Sequence, residues 1–259
     1  MVQLSRKPPE DMAAYDCLLA AKIHHHKCTK EDNAKALELL KRAVALEPDF
    51  ASAHAWKACT LGQGLARGYL ERNEATLKES REAVEIAYRL DENDVEANRI
   101  LCEYEMYYRD WEKAKRHQDR AYTMNPNDPR LVAQRGELLT WMGQADEGAK
   151  LLEAAMRLDP YDAHSRAHLL GRAHFVLRRY SEALEAYQRI PSPRAGHIAD
   201  MAACLAYLGQ LDAAKAKIPT VLALDPDFTT TRYVAGLLYC VDADREHHAE
   251  GLLKAGFPV

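Results

Sequence analysis

No stretch of this 259-residue chain approaches the roughly 18–20 consecutive apolar residues that a membrane-spanning helix requires. The first residues, Met1 to Arg6 followed by Lys7-Pro8-Pro9, lack the apolar core of a secretory signal. These two absences read as a cytoplasmic protein without a membrane partner. Excess positive charge is missing as well. Lys and Arg number 35 against 39 Asp and Glu, a formal charge of -4, which disfavours a nucleic-acid binder relying on bulk charge. Cysteine occurs six times, as Cys17, Cys28, Cys59, Cys102, Cys204 and Cys240, but never as Cys-x-x-Cys, so the thiols read as reduced and structural. Aromatics are only 8% of the chain, yet 47% of residues are apolar, enough for a real core and too many for a disordered tail.

Catalytic motifs are equally scarce. There is no Gly-rich phosphate loop, no His-Glu-x-x-His helix and no Gly-x-Ser-x-Gly elbow. No segment shows the two-residue period of a strand, and the many carboxylates read as the solvated outer faces of helices. The expectation is a non-enzymatic protein without a cofactor or metal.

What the sequence does have is a repeat. Leu46-Glu47-Pro48-Asp49, Met124-Asn125-Pro126-Asn127, Leu158-Asp159-Pro160-Tyr161 and Leu224-Asp225-Pro226-Asp227 are one phrase, and Leu90-Asp91-Glu92-Asn93 is the same phrase with Glu replacing Pro. From Glu92 to Pro126 and from Pro126 to Pro160 the interval is 34 residues; from Pro48 to Glu92 it is 44, an insertion of about ten. Small residues keep the same phase. Ala36, Ser80, Ala114, Gly148 and Ala214 stand twelve before the closing Pro or Glu, and Ala43, Ala87, Ala121, Ala155 and Val221 stand five before it. Met142-Gly143-Gln144 and Leu208-Gly209-Gln210 supply a helix C-terminus tolerant of left-handed dihedrals. Each unit therefore reads as helix, tight turn, helix, and then a Pro that ends the second helix.

This pattern resembles the tetratricopeptide repeat, and Asp110-Trp111-Glu112-Lys113-Ala114 with Ala121 and Pro126 is its best copy, although Lys57 and Arg135 stand where that family usually has Leu. The resemblance implies an all-α, right-handed superhelical solenoid of about seven helix pairs. The expected helices are 10–26 and 30–46, 50–67 and 72–90, 94–107 and 110–124, 128–141 and 144–157, 162–177 and 180–189, 194–207 and 210–223, 227–240 and 243–254. Residues 1–9 read as an extension and 10–259 as one domain, with a capping helix near 243–254. Within the insertion near 62–76, Leu65, Tyr69 and Leu70 are spaced to prolong the first helix of that pair, so that helix or its partner should project beyond its neighbours. Pro219 should bend or split its helix.

By the geometry of the family, the concave lining falls on the first helix of each pair. The docking strip this predicts comprises Arg99, Glu103, Met106 and Tyr107, then Gln134, Glu137 and Trp141, then His164, His168 and His174. Aromatic anchors and charges of both signs suit a peptide or protein ligand. Glu103 and the histidines do not suit capture of a chaperone's C-terminal carboxylates. His164 and His168, spaced i, i+4, could meet a metal if a carboxylate such as Glu137 joined them, and the plainer reading is polar lining. If these histidines touch an acidic peptide, binding should tighten as pH falls through about 6.5. His24-His25-His26 and His247-His248 read as polar helix ends. Of His54 and Trp56, two residues apart, one should be packed and the other exposed or groove-facing.

The ends carry a narrower resemblance. Lys7-Pro8-Pro9-Glu10-Asp11-Met12-Ala13-Ala14-Tyr15-Asp16 with Thr29-Lys30-Glu31-Asp32-Asn33-Ala34, and Glu250-Gly251-Leu252-Leu253-Lys254-Ala255-Gly256-Phe257-Pro258, are similar to the limits of the repeat region that follows bacterial class III adenylate cyclase domains and winged-helix regulators. This implies the interaction or sensory region of a larger signalling protein, with any nucleotide chemistry outside this all-helical chain. The alternative is a self-association module, a homodimer that pairs attached catalytic or DNA-binding domains.

Overall fold

The computed structural model describes residues 13–259, so the 1–9 extension and the expected helix start at residue 10 lie outside the described residues. Packing divides the chain into two compact units, the first from Met1–Tyr104 and Arg116–Met124, the second from Glu105–Lys115 and Asn125–Val259. Among the described residues there is no strand.

Unit 1 contains α1 (Ala14–His25), α2 (Lys30–Leu46), α3 (Ala51–Ala66) and α4 (Glu74–Leu90). It shares α5 (Val95–Tyr107) and α6 (Trp111–Met124) with unit 2, which adds α7 (Pro129–Trp141), α8 (Ala145–Leu158), α9 (Ala167–Val176), α10 (Tyr180–Gln188), α11 (Ala195–Tyr207), α12 (Leu211–Lys215), α13 (Ile218–Leu224), α14 (Thr230–Ala235) and α15 (Asp242–Ala255). The repeated phrase sets the ends of the second helices: α2, α4, α6, α8 and α13 stop at Leu46, Leu90, Met124, Leu158 and Leu224, its apolar first residue. Starts are fixed by side-chain caps. The Thr29 hydroxyl accepts from the Asp32 amide at 3.1 Å and donates to the Asp32 carboxylate at 2.7 Å, while Asn73 and Asp128 cap α4 and α7.

The small residues in phase are the helix-to-helix contacts. Ala36, Ala43, Ser80, Ala87 and Ala121 in unit 1 and Ala114, Ala155, Ala214 and Val221 in unit 2 are wholly buried. α7 and α8 approach each other closely. A Cβ added to Gly148 would lie 2.5 Å from Thr140 Oγ1 and 2.7 Å from the Gly136 carbonyl oxygen, so only hydrogen fits. Turns between paired helices share one device, a left-handed residue: Cys28, Gly68, Arg109, Gly143, Arg178 and Gly209. The next amide then reaches back to a carbonyl of the finished helix, as Gln144 does to Leu139 at 2.8 Å and Arg179 to His174 at 2.9 Å.

Four places depart from regularity, one of them as expected. Pro219 sits in the first turn of α13 and separates it from α12. In the insertion α3 does run to sixteen residues, against thirteen for α7, but it ends at Ala66. Tyr69 and Leu70 do not prolong it: Gly68 turns left-handed at φ 70°, both following amides bond to the Gly64 carbonyl, and the Tyr69 hydroxyl donates to the Cys28 carbonyl at 2.6 Å. The expected helix at 162–177 begins instead as a 3-10 turn over Pro160–Arg166, because the Asp159 carboxylate caps Asp162 and buried Arg166 pairs with both acids. The expected 227–240 helix shrinks to α14, and α15 leans chiefly on α11 instead of on α14.

Candidate functional site

On unit 1, the first-helix face is organised by Arg99 of α5. Its guanidinium holds Glu96 at 2.5 Å and Glu103 at 2.5 Å and points one nitrogen at Cys59 Sγ, 3.1 Å away on α3. Burial opposes the charge, but Glu103 and Glu96 outweigh it and keep Arg99 firmly protonated. His25, at the end of α1, is not a solvated end group. It is 8% exposed, its Nδ1 lies 3.1 Å from Thr60 Oγ1, and Thr60 donates its own proton to the Trp56 carbonyl. That assigns the His25 proton to Nδ1 and leaves Nε2 to accept from Gln63 at 3.3 Å. His26 stays exposed and meets Trp56 edge-on at 5.7 Å, with Lys22 Nζ over the same indole at 4.6 Å. Trp56 and His54 are both buried, so neither is the exposed or groove-facing member of the expected pair: His54 Nε2 bonds to the Pro48 carbonyl at 2.8 Å, which ties the helix start to the turn before it.

On unit 2, the corresponding face is centred on a carboxylate that pattern reading did not flag. Asp200 of α11 is fully buried. One of its oxygens accepts from Tyr233 at 2.8 Å and from His248 Nε2 at 3.0 Å, and the other pairs with Arg172 of α9 at 3.2 Å. Burial alone would raise the Asp200 pKa, yet His248, Arg172 and the Tyr233 hydroxyl more than reverse this and hold it below the usual carboxylate range. His248 Nδ1 lies 2.8 Å from the Tyr239 hydroxyl, Tyr239 meets Trp141 edge-on at 4.9 Å, and the Arg172 guanidinium lies over the Trp141 ring at 4.7 Å. Beside them His247 stacks on Tyr207 at 4.3 Å and contacts the Tyr180 hydroxyl at 2.9 Å. His247 and His248 are thus the anchoring face of α15, contrary to their reading as a polar helix end.

The predicted strip divides accordingly. Arg99 and Glu103 fall in unit 1, where Glu103 is exposed and Arg99 is mostly covered by its ion pairs. Of those in unit 2, Tyr107 is 59% exposed and His164 is exposed on the 3-10 turn. Glu137 is half-buried, accepting from the Trp141 indole N–H at 3.3 Å. Met106, Gln134, Trp141 and His174 are buried. Burial lowers the His174 pKa, and Arg179 adds to this against the opposing charges of Glu153 on α8 and Glu182 and Glu185 on α10. His168 is half-buried with its ring 5.4 Å from that of His197. No group of three or more His, Cys, Asp or Glu suited to a metal is present among the described residues.

Burial, then Arg172 and His197, push His168 down to about 4, and burial with Arg178 pushes His247 down to about 4. His168 therefore stays neutral at pH 6 and cannot tighten an acidic peptide there as the sequence suggested. The shift bears on stability instead. Between the ordinary imidazole value of about 6.5 and 4, the unfolded chain takes up protons that the folded one refuses, so stability is lost as pH falls through that window. Unit 2 should lose roughly 1–2 kcal/mol between pH 7 and 4.5 in urea titrations, and His168→Gln combined with His247→Gln should flatten that slope. An unchanged slope in the double variant would contradict the assignment.

No family model matches the sequence, and no curated protein matches it detectably. Solved structures do. PilF of Pseudomonas aeruginosa is 17% identical over 83% of this chain and 95% of its own, with a TM-score of 0.57. Cut9, from the APC/C hetero-tetramer Cut9-Hcn1, is 16% identical over 88% of this chain, which spans 42% of Cut9, with a TM-score of 0.68. A thermophilic TPR protein of Thermus thermophilus is 20% identical over 82% of this chain and all of its own, with a TM-score of 0.53. The chain has the tetratricopeptide-repeat fold. In TPR terms α1, α3, α5, α7, α9 and α11 are first, or A, helices, and the polar clusters around Arg99 and Asp200 both stand on A helices. Helical period alone could not single out Arg172, Asp200 and His248, because their partners are 28 and 48 residues apart in sequence. Among the described residues, no helix is long and apolar enough to cross a membrane.

Proposed function

We propose that the chain is a non-enzymatic interaction scaffold that binds a peptide or protein on its A-helix faces. We place it in the regulatory or sensory region of a larger bacterial signalling protein, an adenylate cyclase or a winged-helix transcriptional regulator. Supporting this are the TPR fold and the exposure of three residues that the family resemblance assigns to the ligand-facing lining, Glu103 on α5 in unit 1 and, in unit 2, Tyr107 at the end of α5 and His164 on the 3-10 turn before α9. A ring and charges of this kind, on rigid helices, supply the anchors that dominate polypeptide affinity.

The triple variant Glu103→Ala, Tyr107→Ala, His164→Ala should retain its helicity and lose about tenfold or more in cross-linked capture of a partner from an extract of the source bacterium. Undiminished capture would move the binding surface elsewhere. If the captured species is a second copy, seen as a doubled mass in sedimentation, the scaffold is a self-association module. The signalling context is supported by the terminal phrases. Transcripts continuing upstream of Met1 into a cyclase or winged-helix frame are expected, and a stop codon directly upstream would sink that context.

A further inference from the structure

The last described segment of unit 2 does not behave as a seventh repeat. A second helix of a repeat should lie against its own first helix, but α15 lies mainly against α11, the A helix of the preceding pair. The stretch leading into it crosses the A-helix ends of successive pairs, touching each in turn. Arg109, in the turn after α5, donates to the carbonyls of Ala235 and Leu237 at 3.2 and 3.0 Å. The Cys240 amide donates to the Trp141 carbonyl at the end of α7, 2.9 Å away. Asp244 pairs with Arg178 after α9 at 3.4 Å, and His248 reaches Asp200 on α11. A single segment, irregular over 236–241 and helical from Asp242, that touches four pairs in turn follows the path of a ligand laid across the A helices.

The chemistry of the contact agrees. Beside the close packing of Gly251 on Ala203 and Tyr207, this contact is made by a ring on Trp141, an imidazole on a buried carboxylate and an acid on an arginine. The fit is also incomplete. Arg172 Nε is buried without a hydrogen-bond partner, so the seated segment leaves a donor that a better-matched one could use. We propose that residues 237–251 are an internal ligand that closes the A-helix face of unit 2, and that a polypeptide of the same chemistry binds there only when this segment lifts. The matching partner presents a ring to Trp141, a donor to Asp200 and an acceptor to Arg172. The inference rests on the reading that A-helix faces bind polypeptide, and it adds the regulation of one of them.

A lock and a release can both be built. A Cβ on Gly143 would lie 3.9 Å from Val241 Cβ, inside the range a disulfide needs, so Gly143→Cys with Val241→Cys should clamp the segment when oxidised. Asp244→Arg sets two cations together at Arg178 and should lift it. Every form carries Cys240→Ser, to keep that neighbouring thiol out of the reaction, and is checked for helicity. Because Gly143 has φ 83°, the reduced clamp serves as the control for backbone strain. The probe is a fluorescein-labelled synthetic peptide of residues 237–255, read by anisotropy alongside hydrogen exchange of the segment. We expect the released form to bind at least tenfold more tightly than the Cys240→Ser parent, with faster exchange over 237–251, and the oxidised clamp not to bind while its reduced form does. Equal affinity in released and clamped forms, or no binding to a released form whose segment exchanges freely, would overturn the proposal. The peptide is the chain's own, so failure here leaves the capture experiment with Glu103, Tyr107 and His164 standing, and failure there leaves this one standing.

Discussion

Asp200→Ala is expected to lower the unfolding free energy by about 3–5 kcal/mol, the range for removing one member of a buried ion pair. The effect is large because three groups lose their acceptor together. Arg172 would remain enclosed between Trp141 and the body of unit 2 with no counter-charge, while His248 and the Tyr233 hydroxyl would point at an empty carboxylate site. Asp200→Asn keeps the volume and one acceptor oxygen and should fall between the variant and the parent. Urea denaturation followed by circular dichroism at pH 7 measures both. A loss below about 1 kcal/mol for Asp200→Ala would mean that water reaches the cluster and that the carboxylate is not its organising charge.

Gly148→Val should be nearly as damaging, at about 3 kcal/mol, through overpacking instead of lost charge. The first atom of any side chain at 148 meets Thr140 Oγ1, the Gly136 carbonyl oxygen and, at 3.2 Å, the Thr140 backbone nitrogen. The hydroxyl can rotate away; the carbonyl is part of α7 and can only move with the helix. Thr140→Ala should therefore recover only part of the loss when combined with Gly148→Val. Full recovery would show that the hydroxyl alone sets the spacing, and a Gly148→Val protein as stable as the parent would show that α7 and α8 are not held at this distance. Thermal and urea unfolding of the three variants decide between these results.

Much of the helical layout is legible in the sequence because it follows from periodic steric demands. A small residue is required wherever paired helices cross, as at Ala36, Ala87 and Gly148, and an apolar residue followed by a turn signal ends each second helix, as at Leu46, Leu90 and Leu158. The misses occur where a local preference is overridden by a distant contact. Tyr69 fits a continued helix by spacing, but its hydroxyl finds the Cys28 carbonyl 41 residues away and the chain turns early. Trp141 has the spacing of a ligand-facing ring, and it is covered because Tyr239 returns to it from the far end of the sequence. The pair His247-His248 looks like solvated surface, since no rule of helical period says that a carboxylate at 200 lies under it. A buried acid on an otherwise apolar helix, Asp200 among Ile198, Met201 and Leu205, is the signal that could have found the cluster.

The left-handed turn residues carry one more implication. Glycine adopts that backbone freely, and it serves at Gly143 and Gly209, but the equivalent places after α5 and α9 are held by Arg109 and Arg178, side chains that resist such dihedrals. Both arginines extend from their strained turns to the C-terminal segment, one to its carbonyls and the other to Asp244. Ease of turning and grip on the segment are thus set by the same two positions and in opposite senses. Sequence drift toward glycine there would relax the array while loosening its own tail, so thermal robustness and openness to a ligand are traits that one substitution moves together.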